Sequence, residues 1–365
     1  MAGLRVDRLV KRLGNQLAVD DVTFEVAEGE FFVLLGSSGC GKTTTLRTIC
    51  GIEQPDSGRI VIADRDVTAL PSRERNLGMV FQEYGLYPSM DVLGNIAYGL
   101  QARGGLPKSE IERRVVEAAE KLGLTPLLRT SIVDLSGGEQ QRVALGRAMV
   151  KDADAYLYDE PLSNLDPKLR HRMRRDIQDL HRAKQKATLY VTHDQTEAFA
   201  LADRIGVMAE GRLHQVGTAE DLIESPATTF VASFVGTPPM NLLAGELHNV
   251  DGELGVQCAG VRLPVPPAAK VAIEDHGRTA VIVGIRPDGL TITGTEAATI
   301  SATIADVEPL IGQTIIRARI GGDATVSALL DGDTGDHLST GQVVRLGVSA
   351  EISLFDPDTG SALAS

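Results

Sequence analysis

The segment Gly36-Ser37-Ser38-Gly39-Cys40-Gly41-Lys42-Thr43 follows directly on the apolar run Phe31–Leu35 and constrains the chain more than any other feature. A five-residue apolar run ending in glycine reads as a strand buried on both faces. The glycines let the backbone turn tightly, so that its N–H groups point inward at anionic oxygens. A helix starting at the end of the loop adds the positive end of its dipole. The spacing fits G-x-x-x-x-G-K-[ST], in which the lysine reaches the β- and γ-phosphates and the hydroxyl ligates Mg²⁺. Lys42 and Thr43 take those places, and Gly36, Ser37, Ser38, Gly39, Cys40, Gly41 and Thr44 complete the cradle. A glycine-rich turn that binds nothing would not need the lysine–threonine pair between strand and helix. The implied ligands are ATP and Mg²⁺.

Further apolar runs at Ala155–Tyr158, Thr188–Val191 and Arg204–Met208 read as companion strands. Helical spacing appears between them. Ile111, Val115, Ala118 and Leu122 share one face, with Ser109 and Glu112 set as a capping box and Gly123 as a stop. Leu169, Met173, Ile177 and Leu180 share another, after Asp166 as N-cap and Pro167 as the first helical residue. Alternating strands and helices predict a largely parallel sheet covered by helices. At the end of one strand stand Asp159 and Glu160, where α/β sheets place their sites. Ala155–Pro161 resembles a Walker B strand, and that resemblance implies that Asp159 holds Mg²⁺ through water and Glu160 polarises the attacking water as general base. Two carboxylates in an ordinary surface turn would not be expected to follow a buried strand.

The 365 residues exceed the ~100–200 of a typical single domain, which predicts two. Gly236-Thr-Pro-Pro239 reads as a linker, giving domains 1–235 and 236–365. Beyond it lie short β-rich runs at Val281–Ile285, Thr314–Ile320, Val343–Val348 and Ile352–Phe355. They are separated by turn clusters such as Gly321-Gly322 and Asp331–Gly335. A small all-β barrel or sandwich is expected there. From Asn241 onward, 16 acidic residues face 7 basic ones, a balance of 7 − 16 = −9 out of −13 for the whole chain. Such a region repels phosphate backbones, and with aromatics at only 4% of the whole chain and no tryptophan, stacking platforms for bases are scarce. No nucleic-acid partner is expected.

Three cysteines without paired spacing argue against a disulfide framework or a zinc site. No apolar run approaches the ~18–20 residues of a membrane span, and the first ten residues lack the layout of a signal peptide. The chain is expected to stay in the cytoplasm, with any membrane association coming through a partner.

Leu135-Ser136-Gly137-Gly138-Glu139-Gln140-Gln141-Arg142 resembles the signature sequence of ABC ATPases, and Ala155–Glu160 resembles their Walker B strand. The resemblance extends along nearly the whole chain. It implies an ABC-type P-loop ATPase domain followed by an OB-like regulatory barrel. In that family Ser136, Gly137, Gly138 and Gln140 would cap the γ-phosphate held by a second ATPase subunit. Gln82 would contact Mg²⁺ or water, and Ser163-Asn164-Leu165-Asp166 would communicate across the dimer. His193 would contact the γ-phosphate. Leu13 stands where the family usually places an aromatic ring against adenine, with Val19 beside the ring or ribose. Leucine offers no π face, so weak discrimination between ATP and GTP is expected.

Gln82–Pro88, Glu160–Pro167 and Thr192–Ala198 are most similar to maltose-type and glycerol-3-phosphate-type importers, as are Pro238–Leu242, Gly284–Asp288 and Leu354–Gly360. Glu83 and Gly85 replace the Asn and Ala more usual there. With one set of motifs per chain, the resemblance implies a homodimer, two transmembrane permease subunits and, indirectly, an extracytoplasmic solute-binding protein. The alternative is a soluble ABC ATPase acting on nucleic acid or ribosomes. Members acting on DNA carry a long coiled coil within the ATPase, whereas the interval from Gly36 to Leu135 (135 − 36 = 99) shows no extended heptads. Translation-factor members carry two ATPase units, and here there is one.

Overall fold

The computed structural model describes residues 2–163, 165–250, 253–267, 269–270, 273, 279–293, 299–321, 324–335 and 337–363. The chain divides into two compact units, Met1–Ala219 and Glu220–Ser365.

The first unit opens with β1 (Ala2–Leu13) and β2 (Gln16–Ala27), an antiparallel hairpin closed at Gly14-Asn15. Then come β3 (Phe31–Leu35), α1 (Lys42–Ile49), β4 (Ser57–Ile62), β5 (Arg65–Asp66), β6 (Leu77–Val80), α2 (Val92–Arg103) and α3 (Lys108–Lys121). The unit continues with α4 (Gly137–Met149), β7 (Ala155–Asp159), α5 (Pro167–Lys184), β8 (Ala187–Thr192), α6 (Gln195–Leu201), β9 (Arg204–Ala209) and β10 (Arg212–Gly217). Among the described residues, one sheet has the order β10-β9-β3-β8-β7-β6 and a smaller antiparallel sheet the order β2-β1-β4-β5. β9, β3, β8, β7 and β6 run parallel, with β10 antiparallel at the edge.

Strands β3, β7 and β8 are buried at every residue. That is why they read as unbroken apolar runs rather than as alternation. The smaller sheet shares a core with the larger through Leu4, Val6, Val22 and Phe24 against Phe32, Leu34 and Leu189. It was not among the expected elements. Its strands alternate buried and exposed residues and interrupt the pattern with bulges.

Helix α5 follows expectation. Asp166 accepts a hydrogen bond from the Leu169 N–H at 3.0 Å, and Met173, Ile177 and Leu180 are buried. Helix α3 buries Ile111, Val115 and Ala118, but the expected capping box does not form. The helix starts one residue before Ser109, with Pro107 at the N-cap position and no side-chain cap. Proline's fixed φ and its missing N–H suit a helix start, which displaces the Ser109–Glu112 signal. Gly123 ends the segment at φ +63°.

In the second unit, α7 (Ala219–Glu224) and α8 (Thr229–Phe234) precede ten strands among the described residues. These are β11 (Asn241–Val250), β12 (Glu253–Cys258), β13 (Val261–Pro264), β14 (Ala280–Ile285), β15 (Leu290–Ile292), β16 (Thr299–Leu310), β17 (Gln313–Ile320), β18 (Ala324–Asp331), β19 (Val343–Val348) and β20 (Ser353–Phe355). They form two antiparallel five-stranded sheets, β13-β12-β11-β14-β20 and β15-β19-β16-β17-β18. The two enclose one core that includes Val256, Val283, Leu290, Ile316 and Leu346. Gly322, in one expected turn cluster, and Asn164, in the Ser163–Asp166 motif, lie outside the described residues.

Residues 220–235, read from sequence as the end of the first domain, are tied to the strands that follow. The Thr229 N–H donates to the Gly360 carbonyl, and the Arg286 guanidinium donates to the carbonyls of Val235 and Ile223.

Asn241 joins the two sheets. Its amide donates to the carbonyls of Ile285 (3.1 Å) and Ser327 (2.9 Å), and its oxygen accepts from the Ser327 N–H (2.7 Å). Asn241→Ala leaves three buried backbone groups short of a partner, which should cost about 2 kcal/mol. The check is hydrogen exchange of the β14 and β18 amides, expected to quicken about 30-fold.

Candidate nucleotide-binding and hydrolysis site

The loop between β3 and α1 is shaped by the backbone around it. A Cβ at Gly36 would lie 2.2 Å from the Met208 carbonyl oxygen, and one at Gly41 would lie 2.3 Å from that of Ala18. Gly39 and Gly41 adopt φ of +78° and +109°. Glycine is therefore required at 36 and 41 by close approach, and at 39 and 41 by conformation. The Lys42 ammonium, only 3% exposed, donates to the carbonyls of Gly36 and Ser37, both at 2.9 Å. It lies 3.9 Å from Glu160 Oε1. Cys40 is buried, its Sγ 3.9 Å from the Lys42 ammonium.

The end of β7 faces this loop. Thr43 Oγ1 donates to Asp159 Oδ1 at 2.9 Å. Burial pushes the Asp159 carboxyl above its ordinary range, against the opposing effects of Thr43, Arg47 and Lys42. Glu160 has φ +43°, in the left-handed region. A non-glycine residue there costs about 1–2 kcal/mol, retained where the surroundings fix it. Its N–H donates to the Val191 carbonyl at 3.0 Å, and its Oε2 meets His193 Nδ1 at 2.9 Å.

A cleft of about 400 Å³ is lined by Leu13, Gln16, Ala18, Ser38, Gly39, Gly41, Lys42, Thr43, Thr44, Gln82 and Glu160. Of the residues expected to hold nucleotide, Leu13, Ser38, Gly39, Gly41, Lys42, Thr43, Thr44 and Gln82 line this one space, whereas Gly36, Ser37, Cys40 and His193 are not among its lining. Val19 does not line it either. Its side chain is fully buried in the core, because neighbouring residues of a strand point to opposite faces. Ala18 and Gln16 line the cleft instead. Gln16 could have been found from sequence, since the turn at Gly14-Asn15 sets it opposite Leu13.

Ser136, Gly137, Gly138, Gln140 and Asp166 do not line this cleft either. The Ser136 hydroxyl and N–H donate to Glu139, holding that carboxyl below its usual range. Gln140 donates to the carbonyls of Ile132 (3.0 Å) and Leu135 (3.5 Å). A Cβ at Gly138 would fall 2.1 Å from Leu169 Cδ2, so the start of α4 packs directly on the start of α5. Helix α4 also grips the loop after Gln82. Arg147, whose pKa is lowered by burial, donates to the carbonyls of Tyr84 and Gly85, both at 2.6 Å.

The donor set suits a nucleoside triphosphate with a hard cation. A buried carboxylate and a hydroxyl supply oxygen ligands, a buried ammonium supplies charge, and backbone amides line a loop that excludes a side chain at Gly36 and Gly41. Fold and site together define a P-loop nucleoside triphosphatase unit joined to an all-β unit.

The sequence matches the family described as ABC transporter over residues 19–163, the MalK OB fold domain over 236–290 and the TOBE domain over 283–354. It is 42% identical to the trehalose/maltose import ATP-binding protein MalK of Thermococcus litoralis, covering 100% of both chains. It is 41% identical to the sn-glycerol-3-phosphate import ATP-binding protein UgpC of Cupriavidus necator, covering 96% of each. A solved dimeric ABC cassette in a post-hydrolysis state with ADP and Pi superposes with TM-score 0.54 at 28% identity, covering 59% of this chain and 98% of that one. The chain belongs to the ABC transporter ATPase family, among its import ATP-binding subunits with a MalK-type C-terminal region. The all-β region expected as one OB-like barrel matches two family domains in succession.

Burial raises the folded-state pKa of Asp159 above its unfolded value, so the folded state binds more protons between the two. Stability contributed there is present at low pH and falls as pH rises through that interval. Asp159→Asn should therefore raise the melting temperature of the nucleotide-free chain at neutral pH by about 2 °C, while removing the further rise given by ATP with Mg²⁺. Differential scanning fluorimetry with and without ligand reads both. Leu13, 45% exposed at the cleft, predicts similar Kd values for ATP and GTP. A Leu13→Tyr variant should bind ATP about three- to ten-fold more tightly in a competition titration.

Proposed function

We propose that this ATPase powers uptake of a sugar or related small solute through a separate membrane permease. The observation that carries its hydrolytic step is the contact of Glu160 with both Lys42 and His193 at the mouth of the phosphate loop. Lys42 would exchange the Gly36 and Ser37 carbonyls for phosphate oxygens. Glu160 then takes the proton of the attacking water, with His193 holding its carboxylate in place. Mg²⁺ held by Thr43, Asp159 and Gln82 would neutralise charge on the phosphates.

Two chains would pair about a two-fold axis, each presenting Ser136, Gly137 and Gly138 at the start of α4 to the partner's γ-phosphate. The position of these residues outside their own cleft supports that arrangement. Gln140 and Asp166 act within it by holding the ends of α4 and α5. The functional division is placed at 235/236, supported by the family match that starts at residue 236.

No helix of the described residues is long and apolar enough to cross a membrane. Attachment at the cytoplasmic face would come through two permease subunits. Tyr87 and Tyr98, paired at 4.3 Å between ring centroids and partly exposed, offer an apolar seat beside the Gln82 loop. The sugar assignment rests on similarity to import proteins named for sugars and oligosaccharides.

Glu160→Gln should lower ATP turnover about 10²–10⁴-fold with nucleotide affinity kept. The tagged variant, purified from solubilised membranes with ATP and Mg²⁺, should bring down permeases with several membrane spans. Recovery of soluble protein or nucleic acid alone would sink the importer reading.

A further inference from the structure

Arg170, in the first turn of α5, has five contacts on two separate segments. Its guanidinium donates to the Leu162 carbonyl (3.3 Å) and the Leu165 carbonyl (3.2 Å), on either side of the turn that follows Glu160. It also lies 3.6 Å from Asp194 Oδ2 and 3.8 Å from Glu197 Oε1. Its fifth link is the backbone N–H to the Asp166 carbonyl at 2.8 Å, which sets it in the helix.

The two carboxylates frame the residue next to them. Glu197, 2% exposed, accepts hydroxyl hydrogen bonds from Tyr190 (2.8 Å) and Thr192 (3.0 Å) with its other oxygen. The Thr192 hydroxyl in turn accepts from the Asp194 N–H at 3.0 Å. Asp194 caps α6 by accepting from the N–H groups of Thr196 and Glu197. His193 thus stands between two residues whose positions are set by Glu197 and Arg170. On the other side, the Ser163 hydroxyl donates to the Glu160 carbonyl at 3.0 Å. The path closes on itself: Glu160, Ser163 with Leu162 and Leu165, Arg170, Asp194 with Glu197, Thr192, His193, and back to Glu160 at 2.9 Å.

We propose that Arg170, acting with the buried Glu197, is a positioning residue that sets the Glu160–His193 contact and couples it to the backbone at Leu162 and Leu165. The proposal deepens the hydrolysis reading above and rests on it for its catalytic consequence. Arginine suits the place because its planar fork reaches several acceptors at fixed angles, which the single ammonium of lysine does not. A displacement of the turn would move Arg170 and, through Asp194 and Glu197, the imidazole. Small misplacements of this kind cost up to about 10²-fold in rate without affecting ground-state binding.

The test uses the full chain and two readouts. In Arg170→Met, kcat for ATP should fall at least about ten-fold with KM within about two-fold; Arg170→Lys should rescue it only partly. Independently of activity, the ¹⁵N signals of the His193 ring, assigned through His193→Ala, should report one tautomer fixed by Glu160. They should shift toward those of a freely exchanging imidazole in Arg170→Met and in Glu197→Gln. Should one variant not fold, the other decides by the same ring signals. Unchanged His193 signals in the folded variants overturn the proposal, even where turnover falls. A wild-type chain that does not hydrolyse ATP would overturn the hydrolysis reading, and the ring signals would still decide the coupling.

Discussion

The Lys42 ammonium sits under a loop whose own carbonyls, those of Gly36 and Ser37, are its nearest acceptors. A buried cation held by neutral oxygens is poorly compensated, because each oxygen carries only part of a charge. The charge therefore draws anionic groups toward it. Glu160 lies at the edge of ion-pair range, and phosphate is the natural further occupant. Much of the first unit serves to hold this arrangement. The strand before the loop is buried on both faces, and two neighbouring carbonyls press on its glycines. Arg75, itself buried, binds the carbonyls of Thr48 and Ile49 at the far end of α1. A cation at that end complements the helix dipole whose opposite end faces the ligand.

The same logic explains why the site carries unfavourable features. Asp159 is buried with the Thr43 hydroxyl as its hydrogen-bond donor, and burial raises its pKa despite Arg47 and Lys42 nearby. Glu160 adopts a left-handed backbone. Both cost stability in the empty protein and are offset by the sheet that over-determines them. Such concentration of cost at one cleft is what an ATPase site requires, since the groups must be ready for a ligand that brings its own charge.

Around the cleft, communication runs through side chains that grip loops by their carbonyls. Arg147 fastens the loop after Gln82 to α4, and Arg170 fastens the turn after Glu160 to α5. Since α4 carries the Ser136 segment at its start, and α4 and α5 meet at Gly138 and Leu169, these helices form one frame.

The phosphate loop, the Asp159–Glu160 pair, the parallel strands and the all-β second region were legible in the residues. Each is a local pattern in which chemistry and spacing fall within a few positions. The same holds for Asp166 as the cap of α5. What only the tertiary structure decided depends on which segments meet. Val19 points into the core and Ala18 into the cleft because β2 packs with one face against the larger sheet. Pro107 rather than Ser109 starts α3, and residues 220–235 pack with the strands that follow them. The ring from Glu160 through Arg170 and Glu197 to His193 joins residues up to 37 positions apart (197 − 160), and no local pattern marks it. Sequence determines which side chains are chemically able to act. Which of them share a space follows from the packing of the sheet and its helices, where close contact alone sets partners.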